Sequence, residues 1–264
     1  PFAPLKASLS LQLRVRHVAA AGIPGRGFSL DHVFGLTMKC QPRRSVTESS
    51  IPGGWSEREL LLGDRELRIL LPAQPDEFLE QLEPSTAAAQ EADPYWAELW
   101  PASLPMARLV VASRWPRRGV AIELGCGIGV VGLAALVAGL RVIFTDRVEL
   151  AVATAVENAR RNGFDGAQGL ILDWARPPRQ QYPIILASDV LYDRELHSPL
   201  LNAVKSLLSD GGECWIGDPG RSATAEFLTP ATSAGFTMRM LDEEGREAAG
   251  LELGEFRLIV LRTA

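Results

Sequence analysis

Cysteine is scarce. Cys40, Cys126 and Cys214 are odd in number, widely spaced and form no C-x-x-C pair. That excludes a disulfide framework and a zinc ribbon, and it points to a reducing compartment. Histidine is equally sparse: His17, His32 and His197 are too scattered for a His-based metal site, so no metal is expected. No run of about 18 apolar residues occurs, so no membrane span is expected. A surplus of positive charge is also missing. The 264 residues carry a formal net charge of −5, which argues against a broad nucleic-acid-binding surface. With 47% hydrophobic and 22% charged residues, the composition excludes collagen-like, coiled-coil and wholly disordered chains.

The total charge conceals two unlike parts. Residues 1–44 hold seven Lys/Arg against Asp31 alone, a balance of +6, while the remainder holds 20 basic and 31 acidic residues, a balance of −11. The leader has no hydrophobic period and crowds Gly22, Pro24, Gly25 and Gly27 together. Residues 1–50 are therefore read as a disordered basic leader. Ala7–Val15 is too interrupted for a secretory core. Residues 1–37 read either as an extension outside the working protein or as a transit peptide, Arg-bearing and acid-poor. The first reading leaves the protein in the cytoplasm; the second sends it to the mitochondrial matrix.

From residue 51 onward the pattern is structured. Glu59–Leu62 and Glu66–Leu71, split by Gly63-Asp64, read as a β-hairpin. Pro75–Leu82 reads as a short helix and Ser85–Ala92 as a small-residue linker. After a helix at Ala102–Ser113, strands and helices alternate. Strands are expected at Val120–Leu124, Arg141–Asp146, Gly169–Leu172, Ile184–Ser188 and Glu213–Gly217. Helices are expected at Val130–Ala138, Glu149–Asn162, about Arg194–Leu208, and Ser222–Ala234. Asp210-Gly211-Gly212 reads as a turn, and Phe236–Leu241 and Glu255–Arg262 as two last strands with no helix between them. Such alternation means a mostly parallel sheet covered on both faces. The expected fold is α/β, a doubly wound, seven-stranded Rossmann-like sheet with an antiparallel strand at one edge. It occupies residues 95–264, with residues 51–94 as an appended hairpin and helix.

Chemistry concentrates after the first strand, in Glu123-Leu-Gly125-Cys-Gly127-Ile-Gly129. Glycines let the chain turn tightly and bring its backbone close to a ligand, and ligands of open α/β sheets sit at the carboxyl ends of the strands. Gly127-x-Gly129-x-x-Gly132 also matches the dinucleotide fingerprint. Counted from Gly125, where the strand runs into the loop, the third fingerprint glycine falls on Val130 and the match fails. Glu123 would repel a pyrophosphate but suits the cationic S-adenosylmethionine. Asp146, ending the second strand, is placed to accept ribose hydroxyls, or else to cap the next helix with Glu149. Asp173 and the N–H of Trp174 are placed to meet an adenine, or else Asp173 is a plain loop residue. Cys126 reads as a packing residue.

Three further segments narrow the reading: Asp93-Pro-Tyr95-Trp96-Ala-Glu-Leu-Trp100-Pro101, then Asp189-Val-Leu-Tyr192, then Gly217-Asp218-Pro-Gly-Arg221. With the glycine loop, residues 93–221 resemble the class I methyltransferases, and within them the seven-strand protein-lysine methyltransferases labelled nicotinamide-methylase-like. The resemblance implies an S-adenosylmethionine-dependent N-methyltransferase acting on protein lysines, with the electron transfer flavoprotein β subunit as first candidate substrate. A nicotinamide-like small amine and a ribosomal protein are the alternatives. It implies that Asp189 and Tyr192 serve catalysis in a lysine channel and that Trp100 borders the cofactor, beside Glu123, Gly125, Gly127, Gly129, Asp146, Asp173 and Trp174. Asp218 and Arg221 are expected to bind substrate, or else to form a turn whose arginine pairs with a surface acid. Tyr95 and Trp96 read as packing residues and His197 as a surface residue. The protein is expected to act as a monomer, with neither nucleic acid nor membrane as partner.

Overall fold

Four of the five residues of Val120–Leu124 (β4) are buried, which is the signature of a strand covered on both faces. In the computed structural model, which describes residues 15–16, 51, 53–75, 94–116 and 119–263, β4 lies at the centre of a seven-stranded sheet. Its companions are Arg141–Asp146 (β5), Gln168–Ile171 (β6), Tyr182–Ser188 (β7), Leu208–Asp218 (β8), Phe236–Leu241 (β9) and Arg257–Thr263 (β10). The spatial order is β6-β5-β4-β7-β8-β10-β9. Pairing is parallel from β6 through β8, and β10 runs antiparallel to both β8 and β9 at one edge. The doubly wound sheet expected from the alternation is present.

Successive strand residues face opposite layers. Ala121, Val142, Phe144, Ile184 and Leu186 pack under Ser103–Ala112 (α1), Val130–Val137 (α2) and Glu149–Arg161 (α3). Ile122, Leu124, Ile143, Ile185 and Ala187 pack under His197–Leu207 (α4) and Thr224–Ser233 (α5). The order of successive strands reverses between the parallel β4 and β7, which opens a crevice at the carboxyl ends of these two strands.

Trp55–Leu62 (β2) and Arg65–Pro72 (β3) form the expected hairpin, longer at both ends than the apolar runs alone indicate. Val15–Arg16 (β1) pairs antiparallel with Arg58 and Glu57 of β2. A leader without regular structure therefore does not hold at those two residues. The helix expected at Pro75–Leu82 and the linker at Ser85–Ala92 lie outside the described residues, apart from Pro75.

The turn at Asp210-Gly211-Gly212 exists only as an irregularity within β8. Tyr182 pairs with Leu208 and Ile184 with Glu213, so two residues of β7 are matched by five of β8. Gly211, at φ +69°, supplies the left-handed step.

Candidate active site

The loop between β4 and α2 is built on positive φ at Gly125 (+67°), Gly127 (+50°) and Gly129 (+85°). Each glycine has a separate reason. A Cβ on Gly125 would meet Val190 at 3.2 Å and the Trp174 ring at 3.3 Å; one on Gly127 would lie 3.0 Å from the Trp96 carbonyl. Both glycines line a cavity of about 220 Å³ in the crevice. Gly129 does not line it. Its Cβ would sit 2.7 Å from that of Ala155, so Gly129 serves the packing of the loop on α3. Gly132, which the sequence pattern set aside, allows close approach of α2 to β5. A Cβ there would fall 2.3 Å from the Phe144 ring.

Trp100, Glu123, Asp146, Asp173, Trp174, Asp189 and Tyr192 also border the cavity. Asp146 holds the loop from below: its Oδ2 accepts the Gly127 N–H at 3.1 Å and its Oδ1 the Val148 N–H at 3.0 Å. It is not the cap of α3, whose N-cap is Val148. Asp173 is exposed, accepts the Ala175 N–H at 2.9 Å, and shares the cavity wall with the half-buried Trp174.

Glu123 is buried, and its Oε2 accepts the Gly132 N–H at 3.0 Å. Burial pushes its carboxyl up to about 8, against the lowering effect of the Gly132 N–H and with a smaller push from Asp146. Near neutral pH the group is therefore protonated, and it is not the fixed negative charge the sequence suggested. The folded pKa lies above the ordinary value of 4.5, so the stabilising effect is complete below 4.5 and is lost as pH rises toward 8. Glu123→Gln keeps the acceptor and removes the titration. It is expected to exceed the wild type in stability by about 2–4 kcal/mol at pH 8 and to converge with it near pH 4.5. Thermal unfolding of both proteins from pH 4.5 to 9 checks this, and a pH-independent difference would contradict it.

Asp189 joins three segments. It takes a positive φ of 58°, unusual for a residue with a side chain, and its carboxylate is buried. Oδ2 accepts the Ala102 N–H at 2.8 Å, at the start of α1, and Oδ1 accepts Nε of Arg221 at 2.9 Å and also its Nη2. Burial raises the Asp189 carboxyl, and the Ala102 N–H and the Arg221 guanidinium pull it back down. The Arg221 guanidinium also lies 5.5 Å over the Trp100 ring, a cation–π distance. Asp218 is fully buried and accepts the N–H groups of Gly220 and Arg221 at 2.8 and 2.9 Å on Oδ1.

Neither Asp218 nor Arg221 lines the cavity. Asp218 shapes the turn that presents Arg221, and the partly exposed Arg221 braces Asp189 and Trp100. The arginine does pair with an acid, but the acid is buried rather than on the surface.

Local reading missed other features. Tyr95 borders the cavity and links Trp100 and Tyr192 through tilted ring contacts with centroids 5.9 and 6.0 Å away, and its carbonyl accepts the Trp100 indole N–H at 2.7 Å. His197 is buried, its Nε2 3.1 Å from the Leu191 carbonyl and its ring edge-on to Phe227, which corrects the expected surface position. The signal was present, since His197 precedes Leu200, Leu201 and Val204 at helical i+3, i+4 and i+7 spacing. Cys126 is a buried packing residue as expected, and burial raises its thiol well above the ordinary value.

The cavity's chemistry discriminates between ligands. No lysine or arginine belongs to the glycine loop, and the acids Asp146 and Asp173 border the space beside Ile128, Val148, Leu172 and Trp174. Arg147 also borders it. The acids and the apolar walls together suit a ligand with a diol, a flat apolar heterocycle and a cationic end. S-adenosylmethionine has those parts. Among the described residues no histidine borders the cavity, and no group of side chains is arranged to hold a metal ion.

Comparison with known proteins agrees with this geometry. The electron transfer flavoprotein beta subunit lysine methyltransferase of Xenopus laevis is 30% identical over 138 residues, 49% of this chain and 54% of that protein. The protein N-lysine methyltransferase METTL21A of Danio rerio is 30% identical over 121 residues, 43% of this chain and 56% of that protein. The chain spans about half the length of the curated relatives it matches. Among solved structures, a TehB-like SAM-dependent methyltransferase from Corynebacterium glutamicum superposes with a TM-score of 0.51 at 16% identity, covering 73% of this chain and 100% of that one, which speaks for the fold. A family model described as lysine methyltransferase matches residues 97–231, half of the chain, from the edge of the aromatic rim through the glycine loop, Asp189 and Arg221 into α5, and the chain belongs to that family.

Proposed function

We propose that this protein is an S-adenosylmethionine-dependent N-methyltransferase that methylates a lysine side chain of a protein substrate. One observation carries the reading. The acid-bordered cofactor cavity and the aromatic rim meet at the Asp189 wall, so one space offers a cofactor site and an access route for an amine. Tyr95 and Tyr192 remain 48% and 43% exposed at that rim. An open aromatic mouth suits a long side chain carried on a macromolecule better than a small free amine, which a closed pocket would surround.

S-adenosylmethionine supplies, when bound, a methyl group on a sulfonium. The chain's own residues bind and orient. Gly125 and Gly127 permit close approach of the backbone, Asp146 would accept ribose hydroxyls, and Asp173 with the Trp174 N–H would meet the adenine. Trp100, Tyr95 and Tyr192 would wall the aliphatic part of the lysine. Asp189 would draw in the ammonium: its three donors leave about one acceptor site, and Arg221 holds the carboxylate in place. A free lysine amine has a pKa near 10.4 and is mostly charged at pH 7. Its partial burial in the cavity favours loss of the proton, and positioning within about 3–3.5 Å of the reacting carbon supplies much of the rate.

Similarity to the electron transfer flavoprotein beta subunit lysine methyltransferase makes that β subunit the first candidate substrate. The acidic body of the chain suits a basic docking surface and not a phosphate backbone, in line with a protein partner for a monomeric enzyme. Incubation with methyl-labelled cofactor and this candidate is expected to label lysine. Label transferred to nicotinamide-like amines but to no protein would replace the lysine reading by the small-amine one.

A further inference from the structure

Helix α3 reads the free edge of the hairpin through two side chains. Asn158 is fully buried; its Oδ1 accepts the Leu70 N–H at 2.7 Å and its Nδ2 donates to the Leu70 carbonyl at 2.9 Å. One turn on, Asn162 does the same to Arg68, with Oδ1 to N–H at 2.9 Å and Nδ2 to the carbonyl at 2.8 Å. The spacings fit: four helical residues rise about 6.0 Å and two strand residues span about 6.7 Å. The Asn-x-x-x-Asn pair thus pairs alternate residues of β3 as a neighbouring strand would, and it covers an edge that would otherwise stand open.

The two asparagines differ in one respect. The second Nδ2 hydrogen of Asn158 goes to the carbonyl of Ile128 at 2.9 Å, inside the glycine loop. Ile128 lies between the two positive-φ glycines 127 and 129 and borders the cavity. Asn162 spends its second hydrogen on the Asn158 carbonyl of its own helix, at 2.8 Å. No hairpin residue borders the cavity.

We propose that Asn158 is a positioning residue that couples docking of the β2–β3 hairpin to the cofactor loop, so that the hairpin and S-adenosylmethionine reinforce each other's binding. The inference rests on the proposed reading of the cavity as the cofactor site. A single amide fixes both Leu70 and the Ile128 carbonyl, and a peptide plane with one end tied cannot rotate away from the cavity without breaking that bond. Coupling of this kind is reciprocal: the factor by which the docked hairpin tightens cofactor binding equals the factor by which cofactor tightens the hairpin.

The test uses the full chain and calorimetric titration with S-adenosylhomocysteine. Asn158→Asp keeps the acceptor for Leu70 but loses both donor bonds; Asn162→Asp loosens the hairpin and leaves Ile128 tied. Asn158→Asp is expected to weaken binding about tenfold or more and Asn162→Asp less than about twofold, with kcat at saturating cofactor little changed in both. Equal effects of the two variants, or none, would overturn the proposal.

Amide exchange in the wild-type chain gives a second reading that needs no variant to fold. Adding S-adenosylhomocysteine is expected to slow exchange at Leu70 about fivefold or more, although Leu70 touches no part of the cavity. Protection confined to the glycine loop would overturn the coupling. A wild type that binds no S-adenosylhomocysteine would instead refute the cofactor reading on which the inference rests.

Discussion

Asp189→Asn is expected to lower kcat/KM for the lysine substrate about 100- to 1,000-fold, because disrupting a buried, hydrogen-bonded charge pair costs about 2–5 kcal/mol and each 1.36 kcal/mol is tenfold. Asn is chosen because it tolerates the positive φ of this position, so the backbone is preserved and only the charge is lost. The neutral amide leaves the Arg221 guanidinium without its counter-charge and asks one side chain to serve the Ala102 N–H and the arginine together. The rim Trp100–Ala102, the end of β7 and the turn after β8 then lose their common anchor. Cofactor affinity should change less than about fivefold, since the interactions lost lie on the amine side of the cavity. Arg221→Lys retains a charge but not the two-pronged contact, and a loss of about tenfold is expected. Single-turnover labelling with saturating cofactor reads both variants. Unaltered labelling in Asp189→Asn would remove Asp189 from the reaction and leave it as a cap on α1.

The sequence revealed features whose causes are local. β4, β5 and β9 lie at Val120–Leu124, Arg141–Asp146 and Phe236–Leu241, the bounds that apolar runs and turn residues indicated. The glycine loop was legible because glycine is the residue that takes positive φ at least cost, and three stand close together there. Less legible was what each glycine approaches. Gly125 faces the cavity while Gly129 faces Ala155, and nothing in the spacing distinguishes them. Pairings across long sequence separations were invisible for the same reason. Asp189 was recognisable as an acid on the rim at the strand ends, but its bonds to Ala102 and Arg221 span 87 and 32 residues. Asn158 and Asn162 look like ordinary polar residues near a helix end until β3 is laid beside them. Glu123 was placed correctly in the wall, but its protonation follows from a burial that only the packed α2 provides. Sequence position alone puts Arg221 on the rim but does not show that it pairs with Asp189 and lies over Trp100.

Gly132→Ala is expected to destabilise the fold by about 2–4 kcal/mol, against the gain of about 1 kcal/mol that the same change brings in an unobstructed helix. The helix preference is overridden by space. The new methyl group would lie 2.3 Å from Cε1 of Phe144 and 2.4 Å from Oε2 of Glu123, both buried side chains. Phe144 is fully buried beneath α2 and cannot swing aside without disturbing β5. The added methyl would push Glu123 Oε2 off the Gly132 N–H that it accepts at 3.0 Å, leaving a buried donor without that partner. In a chain of this size about 1 kcal/mol corresponds to about 2–4 °C, so Tm should fall by about 4–16 °C. Gly166→Ala supplies the control, since a Cβ there meets nothing within 4 Å, and its effect should stay within about 0.5 kcal/mol. Adding Phe144→Leu to Gly132→Ala should recover part of the loss, with a coupling energy of about 1 kcal/mol or more in the double-mutant cycle. Additive effects would mean that α2 relaxes away from β5, and the close approach would then have no energetic consequence. A partial rescue would place the cost at the Phe144 ring and make Gly132 the residue that lets α2 and the cofactor loop sit against the sheet.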